Sequence, residues 1–201
     1  MKVAVVGATG KIGSTIVSEL VSRGHSVTAV ARNPGAASAN VASKKADAFD
    51  AAALSGILKG HDAVISAAPF APGLSASLIE AVKRSGVKRY IMVGGAGSLE
   101  VAPGKMLKDT LALPDAVRQI IEEGAASLLR LRGENALEWT FFSPAAEIGP
   151  GERTGKFRLG GDRLVTDAEG KSRISYDDYA IALVDELERP QHIRKRFTAA
   201  Y

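Results

Sequence analysis

The chain has 201 residues, 46% of them hydrophobic, which is enough for one sizeable core. It has no cysteine and three scattered histidines, so disulfides, thiol nucleophiles and cysteine metal sites are excluded and no metal site is expected. Net charge is +4, which favours a phosphate-rich ligand only weakly. No apolar run nears the roughly 20 residues of a membrane span, and the start of the chain lacks a signal-peptide layout, so a cytoplasmic protein without membrane partners is expected. The one dense basic cluster, Arg194-Lys195-Arg196, has no interleaved aromatic residues. It reads as a solvated edge flanking a last strand, and nucleic acid is not an expected partner.

Val3-Ala4-Val5-Val6 is a short apolar run of the kind buried on both faces of a parallel sheet. Gly7, Gly10 and Gly13 follow at a spacing of three, and Ile12, Ile16 and Leu20 then mark one face of a helix. A glycine turn between a buried strand and a helix offers free backbone N–H groups and the positive end of a helix dipole. Both suit a dinucleotide pyrophosphate. The spacing is G-x-x-G-x-x-G, and an ordinary glycine-rich turn is the competing reading.

Ser26 to Ala31 forms a second strand, stopped by Arg32-Asn33-Pro34-Gly35. An Asp or Glu roughly 20 residues beyond the glycines would bind the ribose hydroxyls of NAD. Arg32 stands 19 residues after Gly13 instead. It can clamp a 2′-phosphate, so NADP(H) is expected over NAD(H); the alternative is a surface arginine beside a turn. Val41 to Ala46 is a weak third strand. Asp47, at its end, is a candidate acceptor for the adenine amino group or a plain loop aspartate, and Asp50 is a helix cap.

A fourth strand runs from Ala63 to Ala68 and stops at Pro69, with small residues that let the backbone lie along a ribose. The periodicity predicts a helix over Leu74 to Ser85 and a fifth strand over Val87 to Val93. Repeated βα units imply a parallel sheet with right-handed crossovers. A loop over residues 94–112 leaves the carboxyl end of this strand, where a substrate should lie. It opens with Gly94-Gly95-Ala96-Gly97-Ser98. Leu113 to Arg132 is helical with Pro114 in its first turn. Leu137 to Ser143 is a sixth strand. Residues 147–167, rich in glycine and charge, form an irregular flap or short hairpin. Ser175 caps a helix from Tyr176 to about Glu188, with Asp178 completing a capping box, and Phe197 to Tyr201 is a last strand. The expectation is an α/β fold: a single Rossmann-like domain over residues 1–201, with a doubly wound parallel sheet of about seven strands and helices on both faces. His25 and His61 fall at the amino end of the sheet and read as structural. Trp139 reads as core.

With these residues in hand, the chain resembles the atypical short-chain dehydrogenase/reductases. More narrowly it resembles the NAD(P)H-flavin reductase group, related to flavin/biliverdin reductases and NmrA-like proteins. The resemblance rests on Gly7 to Gly13, Ala31 to Pro34, Asp62 to Ala67, Val93 to Leu99, Trp139 to Ala145, Pro150 to Lys156 and Ile174 to Ala180. It implies that Gly7, Thr9, Gly10, Lys11, Ile12 and Gly13 wrap the pyrophosphate. Arg32 and Asn33 would reach the adenosine phosphate and Asp47 the adenine. Ala67, Ala68 and Pro69 would line a ribose, and Pro144 and Ala145 would face the nicotinamide. Gly94, Gly95 and Gly97 would lie on the substrate side. Ser98 falls near the reductase serine and is the candidate for orienting the acceptor or relaying a proton; the alternative is a loop serine bonded to nearby backbone. A homodimer through the last helices is implied by the same analogy.

One departure limits the chemistry. Typical short-chain dehydrogenases carry a Tyr-x-x-x-Lys pair, in which lysine lowers the tyrosine pKa. The helix Leu113 to Arg132 has neither residue, and the residues four places after Tyr90, Tyr176 and Tyr179 are Gly94, Ala180 and Leu183. A flavin, acting as substrate and not as a prosthetic group, or a quinone can take hydride with solvent supplying the proton. The expected function is therefore NADPH-dependent reduction of a flavin, quinone or similar conjugated small-molecule acceptor. The alternative is an NADP-binding sensor or scaffold without turnover.

Overall fold

The computed structural model describes residues 1–201. In chain order the elements are β1 (Lys2–Val6), α1 (Lys11–Ser22), β2 (Ser26–Ala31), β3 (Val41–Lys45), α2 (Ala51–Leu58), β4 (Ala63–Ser66), α3 (Leu74–Ser85) and β5 (Arg89–Val93). A small hairpin follows, β6 (Glu100–Ala102) and β7 (Lys105–Met106), then a 3-10 turn and α4 (Asp115–Arg132). The chain closes with β8 (Glu138–Ser143), β9 (Glu147–Gly149), β10 (Arg158–Gly160), β11 (Arg173–Ser175), α5 (Tyr176–Glu188) and β12 (Lys195–Ala200).

The central sheet has the order β10-β12-β8-β5-β4-β1-β2-β3. All pairings are parallel except β10 with β12. It has eight strands, one more than expected. The added strand comes from the flap: Leu159 pairs with Ala199 in antiparallel register and covers the β12 edge. Strand order reverses between β1 and β4, and the crevice at such a switch point is where open α/β sheets bind ligands.

The alternating faces of the buried strands feed two separate cores. Val3, Val5 and Ile65 point to one side, against Ile16 and Leu20 of α1 and Tyr179, Leu183 and Leu187 of α5. Ala4, Val6 and Val64 point to the other, against α2, α3 and α4 through Leu54, Leu78, Val82 and Leu131. Trp139 is core as expected, 3% exposed, with its indole N–H donating to the Glu134 carbonyl. His25 and His61 are also structural: His61 bridges the Leu58 carbonyl and Thr28, and His25 pairs with Glu188.

Three local expectations are corrected. Pro114 precedes α4 as its N-cap and does not lie in its first turn. The capping box at α5 is only half formed: Ser175 Oγ accepts from the Asp178 N–H at 3.0 Å, but the Asp178 carboxylate turns away to other donors. The Ser175 N–H donates instead to the Tyr201 hydroxyl. The basic cluster is a solvated edge at Arg194 and Lys195, both exposed, but not at Arg196. Arg196 is 8% exposed and reaches inward, while Arg194 donates to the Leu137 and Asn135 carbonyls.

Candidate functional site

The glycine turn comes first because its geometry is the most constrained. Gly7 has φ +84, a left-handed conformation, and a Cβ there would sit 2.7 Å from the Ala67 carbonyl carbon. A Cβ on Gly13 would overlap the Gly7 carbonyl oxygen. So Gly7 lets the turn pass β4, and Gly13 lets α1 rise directly against the turn. Gly10 is the N-cap of α1 and supplies no side chain, and no acidic residue lies in the first helical turn. The turn's internal backbone bonds run Gly10 N–H to Gly7 O and Ser14 N–H to Gly10 O. The N–H groups of Lys11, Ile12 and Gly13 have no backbone acceptor there. A positive helix end with free donors and no resident carboxylate fits a pyrophosphate.

This turn forms the floor of a cleft of about 880 Å³ along the carboxyl ends of the strands. That volume lies near the upper end of the roughly 300–1,000 Å³ typical of ligand sites. Gly7, Thr9, Gly10, Lys11 and Ile12 line its centre. Arg32, after β2, and Asp47, after β3, line one end. Ala67, Ala68 and Pro69 form the wall after β4, and Gly94 lies after β5. Asp47 spends one carboxylate oxygen on the Phe49 N–H at 3.0 Å, which fixes its orientation and leaves the second oxygen available.

Other expected residues lie off the wall. Gly13 packs beneath the turn. Asn33 is exposed beyond Arg32, outside the cleft lining. Pro144 and Ala145 do not face the cleft; both are buried, and Ala145, 1% exposed, belongs to the apolar core below. Gly97 packs against Ile121 of α4, and Gly95 lies near the Phe70 ring.

Ser98 is the main correction. It is 8% exposed, it does not line the cleft, and it is held from behind. Arg196 Nη1 donates to the Ser98 carbonyl at 2.9 Å and to its hydroxyl at 3.0 Å. The same guanidinium donates to Asp162 in the flap. Burial pulls the Arg196 pKa down, against the opposing pull of Asp162. The 94–112 loop is tied to the flap again where the Glu100 N–H meets the Asp162 carbonyl and the Leu164 N–H meets the Glu100 carbonyl. Residues 94–112 and 147–167 are thus a braced pair, and Ser98 is part of the brace.

A second anchor fixes the other end of the flap. Asp178 is fully buried and accepts from the Thr154 N–H and hydroxyl, the Gly155 N–H and the Tyr201 hydroxyl. Burial alone would raise its pKa; these donors more than offset that and hold it below the ordinary carboxylate value. Arg153 forks onto Glu19 of α1 at 2.7 and 3.2 Å. Glu19 is 5% exposed, and its pKa is lowered: burial opposes ionisation, but Arg153 and Arg23 prevail.

The cleft also contains residues that sequence spacing did not reveal: Phe49, Phe70, Ile120, Ile148 and Tyr176. Phe49 and Ile120, 55% and 50% exposed, both line the cleft and present apolar side chains to solvent there. The rim is therefore apolar, while the charges are confined to the centre and the Arg32 end. The residues present can hold a dinucleotide with its phosphates over the α1 N-terminus and leave an apolar space at the β5–β8 end.

The relatives of the chain agree with this geometry. Residues 7–190 match the NAD(P)H-binding family. YwnB of Bacillus subtilis (strain 168), an uncharacterized protein, is 40% identical over 98% of this chain and 97% of its own length. A solved structure from Bacteroides thetaiotaomicron, described as a "putative epimerase", is 41% identical with TM-score 0.94, covering 100% of this chain and 96% of that one. SP1627 of Streptococcus pneumoniae TIGR4, described as a "putative NADH-flavin reductase", is 39% identical with TM-score 0.86, covering 100% and 99%. These descriptions differ in chemistry but share one scaffold, in keeping with the resemblance to atypical short-chain dehydrogenase/reductases. With the glycine turn, the switch-point cleft and the family match in agreement, the chain is a member of the NAD(P)H-binding family of Rossmann-fold proteins.

Proposed function

We propose that the protein is an NADPH-dependent reductase that transfers hydride to a flavin, quinone or similar flat conjugated acceptor. The observation that carries this reading is the division of the cleft. Arg32 stands where an NAD enzyme would place a carboxylate, and the opposite end has apolar walls of Val93, Ile120 and Ile148 without a Tyr-x-x-x-Lys pair. Arginine at that position favours a 2′-phosphate through charge-assisted bonds. An apolar slot with few polar groups favours a ring system over a sugar. Hydride transfer to such a ring needs mainly alignment of donor and acceptor, which the braced loop and flap can supply. The missing pair argues against carrying the epimerase description of the Bacteroides relative over to this chain.

The test is oxidation of NADPH and NADH in the presence of FMN, FAD and menadione. The expected result is turnover of at least one acceptor with NADPH preferred. The second reading, an NADP-binding sensor, draws on the same missing pair and on the exposed apolar rim at Phe49 and Ile120. Tight NADPH binding with no turnover of any acceptor would favour it.

A further inference from the structure

We propose that Tyr176 is the proton donor to the acceptor, a role that rests on the reductase reading above. Three of the four tyrosine hydroxyls are committed. Tyr90 bonds Ser66 at 2.8 Å, Tyr179 donates to the Phe142 carbonyl at 2.7 Å, and Tyr201 donates to Asp178 at 2.8 Å. Tyr176 alone has no partner within the protein, and it alone among the tyrosines lines the cleft. Its place is also specific. Arg32 follows β2, whereas Tyr176 follows β11, which is paired with β9 immediately after β8. β2 and β8 lie four strand positions apart in the sheet, about 19 Å at roughly 4.8 Å per strand. Tyr176 therefore sits at the end of the cleft away from the adenosine site.

At that end the neighbouring walls are Val93, Gly94, Ile120 and Ile148, none of which carries a side-chain O–H or N–H group to donate. Ser98 is held away by Arg196. The position of Tyr176 is fixed from behind, since it is the first residue of α5 and its N-cap Ser175 is bonded to both Asp178 and Tyr201. A half-exposed phenol on a rigid helix start can reach a bound ring and still recover its proton from solvent.

NADPH, held over the α1 N-terminus, would supply the hydride to the conjugated acceptor and leave as NADP⁺. The Tyr176 O–H bond breaks, and its proton joins the acceptor's carbonyl oxygen. The acceptor gains two electrons and two hydrogens, and the phenolate is reprotonated by water through the cleft mouth.

The experiment compares the wild type with Tyr176→Phe, which removes only an unpartnered hydroxyl and should fold normally, as checked by its melting temperature. NADPH affinity is expected to stay within about twofold. With menadione, kcat is expected to fall about tenfold or more, and menadione binding to the NADP⁺ complex to weaken about fivefold through the lost hydrogen bond. A variant equal to the wild type in both turnover and menadione binding overturns the role of Tyr176 alone. A wild type that turns over no acceptor overturns the reductase reading and this role with it.

Discussion

Arg196 holds Ser98 by two groups at once, the carbonyl at 2.9 Å and the hydroxyl at 3.0 Å, from a position 98 residues further along the chain. The hydroxyl faces β12 and the flap, away from the cleft. A serine so placed acts on the shape of the 94–112 loop and does not line the cleft. Ser98→Ala is therefore expected to leave kcat within about twofold. It should lower stability by about 1 kcal/mol, because Arg196 keeps the Ser98 carbonyl and Asp162. Parallel urea unfolding and steady-state assays check both numbers.

The cofactor end gives the second prediction. Arg32 is exposed on the cleft wall, so its replacement should not disturb folding. Arg32→Ala is expected to weaken NADPH binding about 10- to 100-fold, the loss of charge-assisted bonds to a phosphate, and to leave NADH within about threefold. Fluorescence titration with the two nucleotides reads the difference. Equal losses for both would show that Arg32 does not face the 2′ position.

Two glycines of the turn should respond differently. A Cβ at Gly13 would overlap the Gly7 carbonyl oxygen, and neither backbone can yield without moving the turn. A Cβ at Gly10 would meet the same oxygen at an ordinary 3.5 Å. Gly13→Ala is expected to cost about 2 kcal/mol or more and to impair nucleotide binding; Gly10→Ala should cost less than about 1 kcal/mol. Denaturant midpoints of the two variants settle the contrast.

Asp178 ties the flap, α5 and the last residue together, and this anchor depends on pH. Its folded pKa lies below an unfolded value of about 3.9. Its stabilisation is therefore complete above that value and is lost as pH falls through the folded pKa. Asp178→Asn is expected to destabilise the protein by about 2 kcal/mol at pH 7, since the amide cannot accept from all four donors. The variant should also show a shallower loss of stability as pH falls below about 4. Urea midpoints across that range test the slope.

The sequence was most informative where local pattern and tertiary role coincide. The run Val3 to Val6 and the glycines after it located the centre of the cleft, because a buried strand and a tight turn each impose their own composition. Arg32, Asp47 and Ala67 to Pro69 could be read because each lies within three residues of a strand end. The rest depended on partners distant in sequence. Ile120 and Tyr176 reach the cleft from helices whose periodicity gives no sign of it, and Phe49 and Phe70 from loops. Ser98 looked functional in its glycine-rich loop because Arg196 was not yet beside it. Asp178 matched a capping box by spacing, but the Thr154 and Gly155 donors, brought in by the flap, offered its carboxylate stronger partners. The eighth strand was hidden because Arg158 to Gly160 is too short to carry a pattern of its own.

The central claim is that hydride leaves the cofactor held in this cleft, and a kinetic isotope effect tests it most directly. NADPH deuterated at the transferring position of nicotinamide C4 is to be compared with unlabelled NADPH in single-turnover reduction of menadione or FMN. The expected result is a primary isotope effect of about two or more, with loss of the 340 nm absorbance matching the acceptor reduced. Saturating, tight NADPH binding with no loss of that absorbance for any acceptor would contradict the account and leave a nucleotide-binding protein without turnover.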